Sequence, residues 1–249
     1  MFKRTISLML SIVMVLSISA VGVINGNAVT KPKAPTSVEY SSDYAIGEHF
    51  ISFKCSSKVD GFHVHGERDD GKKLDVYCWT SNYDNYFYKV GNKYIVQPLT
   101  LQDGCLHTLK VRAFNVPKNY KRPAIGPSIF GNLKKAPGKA ATYSEWSKSI
   151  YMANAVTSIK ATRVNSNKNL KITWNKIPKV TKYKLSISSI DNKKVNLEYV
   201  VNNTSKTIGK IDNVTFKKNK KISAIVVPVA VNNAKVYSSF FKYRIVTIK

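Results

Sequence analysis

His63-Val64-His65 is the stretch best placed to do chemistry. On an extended strand alternate side chains share a face, so the two imidazoles would sit side by side. With Glu67, Asp69 or Asp75 as an oxygen donor they would make two of three ligands for zinc, and with it a metal-assisted hydrolase. Exposed strand histidines that bind nothing show the same spacing, so both readings stand. His49 and His107 have no partner in the sequence and read as structural. Other catalytic signals are thin. Neither a phosphate loop nor a dinucleotide fingerprint occurs. Gly126-Pro127-Ser128-Ile129-Phe130-Gly131 spaces its glycines too widely for a nucleophile elbow. A glycosidase pair in the second half would have to draw on Asp191, Glu198 or Asp212. The expectation is a protein without catalysis and without a cofactor.

Two sets of residues are better suited to binding. Tyr77, Trp79, Tyr83, Tyr86, Phe87, Tyr88 and Tyr94 crowd one short segment. Tyr86, Phe87 and Tyr88 cannot all point inward from an alternating strand. The set reads as added core, as a contact between modules, or as a platform for sugar rings, with Tyr77, Trp79, Tyr83, Tyr86 and Tyr88 as its members. The second set is cationic. Forty Lys+Arg against fourteen Asp+Glu give a net charge of +26. Residues 31–135 carry sixteen and ten, hence +6; residues 136–249 carry twenty-two and four, hence +18. Lys193-Lys194 and Lys217-Lys218-Asn219-Lys220-Lys221 are the densest runs, so Lys193, Lys194, Lys217, Lys218, Lys220 and Lys221 are candidates for holding a polyanion in a salt-dependent way. A lysine-rich solvated surface with no ligand is the other reading. Arginine is scarce and no nucleic-acid module is visible, which argues against DNA or RNA.

The elements that must carry these residues are strands. Ile51-Ser52-Phe53-Lys54-Cys55 and Leu170-Lys171-Ile172-Thr173-Trp174 alternate apolar with polar. Each is followed after a short turn by a second strand, around Phe62-His63-Val64 and Tyr183-Lys184-Leu185. His107–Ala113 lines up with Ile222–Pro228 in the same way. The chain therefore reads as an internal repeat of roughly 120 residues. Helical periodicity with caps is sustained nowhere after the first thirty residues, so the expected class is all-β.

Leu170–Ile187, LKITWNKIPKVTKYKLSI, resembles the second and third strands of a fibronectin type III domain. Leu101–Ala113 resembles the corner and strand that follow later in that family, and Gly126–Phe130 and Val236–Phe240 resemble its last strand. The resemblance implies two immunoglobulin-like, fibronectin type III-like β-sandwiches in tandem, at 33–134 and 154–249, joined by a linker at 135–153. The linker's Tyr143, Trp146, Ile150 and Tyr151 would dock it on one module or form an exposed contact strip. Cys55 stands where the family has a core tryptophan, and His107 and Ile222 stand at its corner tyrosine. With Cys55 placed in a core by that alignment, Cys78–Cys105 is the expected disulfide.

Met1–Ala28 has the form of a cleaved export signal: Lys3 and Arg4, an uncharged run from Ile6 to Ile24, and small residues at Gly26 and Ala28. An uncleaved anchor is the alternative. No later run is long enough to span a bilayer as a helix. Together these features predict a secreted protein, held at the cell wall without a covalent link. Its partner would be a polysaccharide or an anionic wall polymer, or, if it is a spacer, another secreted protein.

Overall fold

The computed structural model describes residues 29–43, 48–81, 83, 86–97, 102–123, 135–166, 168–211, 214–238 and 243–249. The expected export signal at 1–28, the Gly126–Phe130 segment and part of Val236–Phe240 lie outside them. Nearly all regular structure is β, as expected. Among the described residues no helix is long and apolar enough to cross a membrane.

The first sandwich begins with β1 (Thr36–Asp43), β2 (Glu48–Lys54), β3 (Gly61–Arg68) and β4 (Lys73–Trp79). It continues with β5 (Phe87–Val90), β6 (Lys93–Val96) and β7 (Leu106–Asn115). One sheet runs β1-β2-β6-β5; the other stacks β4, β3 and β7. Alternation in β2 turns Ile51 and Phe53 inward, opposite Val96 and Tyr94 of β6. Cys55 falls just past the end of β2 and is only half-buried, so it does not stand in for a tryptophan. Rings fill that volume instead: Phe53 meets Phe62 edge-on at 4.8 Å, and Tyr94 lies 4.5 Å from Phe62. Truncating Phe53 or Phe62 to alanine would cost about 3–5 kcal/mol.

The second sandwich contains β10 (Ile159–Val164), β11 (Asn169–Trp174), β12 (Lys182–Ile190), β13 (Lys193–Val201), β14 (Ser205–Ile208) and β15 (Lys221–Val231). Sheet β10-β11-β14 packs against β13-β12-β15, extended by β17 (Arg244–Thr247) on β15. This is the strand order that the fibronectin type III resemblance implies. Leu170, Ile172 and Trp174 alternate into the core, where the indole meets Tyr183 edge-on at 5.8 Å. The Tyr183 hydroxyl accepts the Ile177 amide at 2.8 Å, tying the turn before β12 to the core.

The expected linker at 135–153 does not behave as one. Within it β8 (Thr142–Tyr143) and β9 (Ile150–Ala153) both pair antiparallel with β7, which makes this segment the last strand of the first sandwich. Its apolar residues are the reason: Ile150 and Met152 are buried in the first core and Ala153 in the second. Beyond it, β16 (Ala234–Ser238) leaves the tight Asn232-Asn233 turn beside β15 and pairs parallel with β9. Pro228 helps β16 to leave. Its carbonyl accepts the Ser238 hydroxyl at 3.1 Å, so its missing N–H faces the side where a paired strand would need a donor. Leu106 and Ala153 pack into the second core, and Tyr237 packs against the first. Arg244 also meets Asp103 at 3.2 Å and the Gly104 amide meets the Ala155 carbonyl at 3.0 Å. The two sandwiches thus share a sheet and core residues.

Candidate functional site

The lysine runs come together at one end of the second sandwich. The β12–β13 turn and the segment before β15 are neighbours there, since Ile190 pairs with both Lys193 and Ile222 and the Asp191 amide donates to the Lys221 carbonyl at 2.8 Å. Lys193, Lys194, Lys217, Lys218, Lys220 and Lys221 are all exposed on this end. Three more lysines join them that no sequence run announces. Lys168 sits in the β10–β11 turn, Lys210 follows β14, and Lys249 ends the chain, its carbonyl bonded to the Arg163 amide at 3.0 Å. Among the described residues of this end Asp191 is the single acid, and it pairs with Lys220 at 3.1 Å. Nine exposed lysines against one acid among the described residues leave a strongly positive field at this end.

The aromatic platform expected from Tyr77, Trp79, Tyr83, Tyr86 and Tyr88 is not assembled. Tyr77 looks out from the β4-β3-β7 sheet, and Tyr88 lies on β5 in the opposed sheet, next to the inward Phe87. Trp79 is 2% exposed, stacked on Tyr120 and donating its indole N–H to the Lys135 carbonyl at 3.1 Å. Tyr83 packs on Phe87 at 5.2 Å, and Tyr86 packs on the first core. Strand alternation and a two-sheet fold divide what the sequence places together.

A different aromatic surface does form, on the outer face of β4, β3 and β7. The Arg112 guanidinium lies 3.8 Å from the Tyr143 ring centre and 4.3 Å from that of Trp146, and Lys110 lies 4.6 Å from Trp146. His63 stacks on Tyr77 at 4.3 Å. Two serines hold the rings over β7. Ser144 gives its amide to the Ala113 carbonyl and takes the Ala113 amide on its hydroxyl, each at 2.9 Å. Ser147 does the same with Val111, at 2.7 and 2.9 Å. The signal for this in the sequence is the twice-repeated aromatic-serine pair, Tyr143-Ser144 and Trp146-Ser147. Reading the stretch as a linker hid its meaning.

His63 and His65 do share a face, and Asp75 joins them, with one donor atom from each inside 4.8 Å. Asp75 Oδ1 lies 2.7 Å from His63 Nε2 and 2.7 Å from His65 Nδ1. The protons argue against zinc. Arg112 Nε–H donates to His63 Nδ1 at 3.1 Å, which makes Nδ1 an acceptor and puts the ring proton on Nε2, where it serves Asp75. A histidine that binds metal through Nε2 needs its proton on Nδ1, donated to an acceptor. Here Nδ1 meets a guanidinium that stays protonated. Burial pushes the His63 pKa down, against the opposing hydrogen bond to Asp75, and Arg112 adds to the lowering. For Asp75, burial works upward but the hydrogen bonds from His65 and His63 outweigh it and hold the carboxyl below its ordinary value. The cluster is a closed hydrogen-bonded brace, and its donors do not suit a metal.

The expected Cys78–Cys105 bridge does not form: Cys55, Cys78 and Cys105 carry no disulfide. Cys78 is buried opposite Phe62, which in turn faces Ala113 on β7. Cys105 precedes that position on the chain by eight residues, so the two lie some ~25 Å apart along the sheet. A disulfide needs Cα atoms within about 7 Å.

No family model matches the chain, and no curated protein matches it. Among solved structures it is similar to a two-fibronectin-type-III-domain segment of chicken tenascin, at 12% identity and a TM-score of 0.28, covering 86% of this chain and 96% of that one. It is also similar to the FN1–FN3 domains of chicken CNTN1, at 14% identity and a TM-score of 0.30, covering 88% and 68%. The description of this chain as two sandwiches of that strand order rests on its own sheet pairing, β13-β12-β15 against β10-β11-β14 in the second and β4-β3-β7 against β1-β2-β6-β5 in the first.

Proposed function

We propose that the chain is a secreted, non-enzymatic binding protein that attaches to an anionic polymer of the cell envelope, or to an acidic extracellular polysaccharide, through the lysine-rich end of its second sandwich. One observation carries this reading: lysine runs more than twenty residues apart in sequence converge on one surface, with a single acid there among the described residues. Such a surface attracts flexible polyanions and releases them as salt rises. The export signal supplies the compartment.

The test is retention of the full chain on purified cell walls with and without their anionic polymer, at low and high salt. Retention that needs the polymer and is lost in salt supports attachment by charge. Equal retention on stripped walls at high salt overturns it. A spacer that binds another secreted protein is the second reading, favoured by the parallel β9–β16 pairing that makes one sheet of both sandwiches. Co-purification of a stoichiometric secreted protein, unaffected by salt, would put that reading first.

A further inference from the structure

Resting on the polyanion reading, we propose that attachment is end-on: the polymer is held by the far end of the second sandwich alone, and the rest of the molecule is displayed away from it. The strand directions carry the argument. The chain comes from the first sandwich and enters β10 at Ile159, beside Trp174 at the end of β11. The turns at 175–181, 202–204 and 232–233 lie at that same entry end, as the Trp174 amide bonded to the Thr204 carbonyl and the Thr181 amide bonded to the Ala230 carbonyl require. Residues 165, 166, 168, 191, 192, 209–211 and 214–220, with Lys249, lie at the other. The Ile248 amide bonded to the Lys220 carbonyl and the Lys249 amide bonded to the Ala161 carbonyl fix this.

Charge is unequal between the two ends. The far end has nine lysines, and the turns of the entry end offer Lys176 and Lys179, with Lys182 and Lys235 at their borders. Between the ends, the cations of the flanks are partly engaged: Lys184 pairs with Glu198 at 3.1 Å and Lys206 lies over the Tyr199 ring at 4.7 Å. Among the described residues the exposed cations of the far-end turns are all lysine, and the one aromatic ring there, Phe216, is buried in the core. Ammonium groups are compact, strongly hydrated point charges without the fork that reads a carboxylate or phosphate in two places. The polymer this end takes is therefore recognised by its density of charge along a flexible backbone and not by the identity of its monomer.

Amine footprinting of the full chain tests this, comparing acetylation of each lysine with and without long-chain inorganic polyphosphate at low salt. Several-fold protection at Lys194, Lys217, Lys218, Lys221 and Lys249, with less than about twofold change at Lys176 and Lys179, is the expected result. Equal protection of Lys176 and Lys179 would overturn end-on attachment while leaving polyanion binding intact. Absence of protection everywhere, with polyphosphate failing to bind, would overturn the polyanion reading and this inference with it. A matched pair of variants gives a second readout. Lys217, Lys218, Lys220 and Lys221 changed together to Gln should lose most of the affinity, and Lys176, Lys179, Lys182 and Lys235 changed together to Gln should keep it. The reverse order would also overturn the proposal.

Discussion

The outer face of the first sandwich and the far end of the second both gather cations, and they treat them in opposite ways. On the face, Arg112 lies against Tyr143 and Trp146, Lys110 lies over Trp146, and Asp75 answers both histidines. These charges are satisfied by neighbours, so the work of Arg112 and Lys110 goes into holding the 143–147 segment on β7. At the far end nine exposed lysines stand with one acid among the described residues, Asp191, which pairs with Lys220. Cations packed against rings and acids stabilise the fold; exposed cations in excess over acids are available to a ligand. The contrast assigns architecture to the face and attachment to the end.

Neutralising the end should give the largest effect and should touch binding alone. Changing Lys217, Lys218, Lys220 and Lys221 to Gln is expected to weaken polyanion binding about a hundredfold or more at low salt, because several counterion-releasing contacts are lost together. Thermal stability should stay within about 0.5 kcal/mol of the parent, as for other exposed positions. The face should behave the other way. Trp146→Ala removes the ring between Arg112 and Lys110 and exposes the stack, costing about 2–3 kcal/mol by denaturant unfolding, with polyanion affinity unchanged at full folding. Ser144→Ala strips the hydroxyl that receives the Ala113 amide and should cost about 1–2 kcal/mol.

A pH titration sharpens the same division. The His63 pKa is depressed in the folded protein, so the unfolded chain binds more protons just below the ordinary histidine value of about 6.5. Stability from this group is complete above about pH 6.5 and is lost as pH falls from there through the folded value, at no more than about 1.4 kcal/mol per pH unit. His107 is depressed by burial as well and adds in the same window. His63→Gln should flatten the profile below about pH 6.5 without altering polyanion binding at neutral pH. An unchanged profile would remove His63 from the brace. The smallest expected effect is that of zinc: an equimolar addition should shift the melting temperature by less than about 1 °C, and a stoichiometric zinc content lost on replacing His63 and His65 would restore the metal reading.

How much of this was legible depended on how local the signal is. Ile51–Phe53 and Leu170–Trp174 declare their strands by alternation, and the fold class follows from a dozen such segments. The Cys78–Cys105 pairing misled because sequence does not reveal that the two cysteines sit at opposite ends of one strand ladder. The aromatic set misled for the same kind of reason, since two sheets part residues that neighbour each other on the chain. The 135–153 stretch looks like a linker because it carries Pro137, Gly138 and small residues, yet the hydroxyls of Ser144 and Ser147 within it take up the β7 amides themselves. Lys193 and Lys217 showed charge in the sequence; that they share an end with Lys168, Lys210 and Lys249 is decided by β-turn placement, a long-range property of the fold.

The most direct measurement of the central claim is the salt dependence of binding to one defined polyanion, for the parent chain and for the variant with Lys217, Lys218, Lys220 and Lys221 changed to Gln. The account predicts a logarithm of affinity that falls linearly with the logarithm of salt, by roughly 0.7 for each lysine engaged, with a slope shallower by about 2–3 in the variant. Equal slopes for the two proteins, or an affinity indifferent to salt, would contradict it.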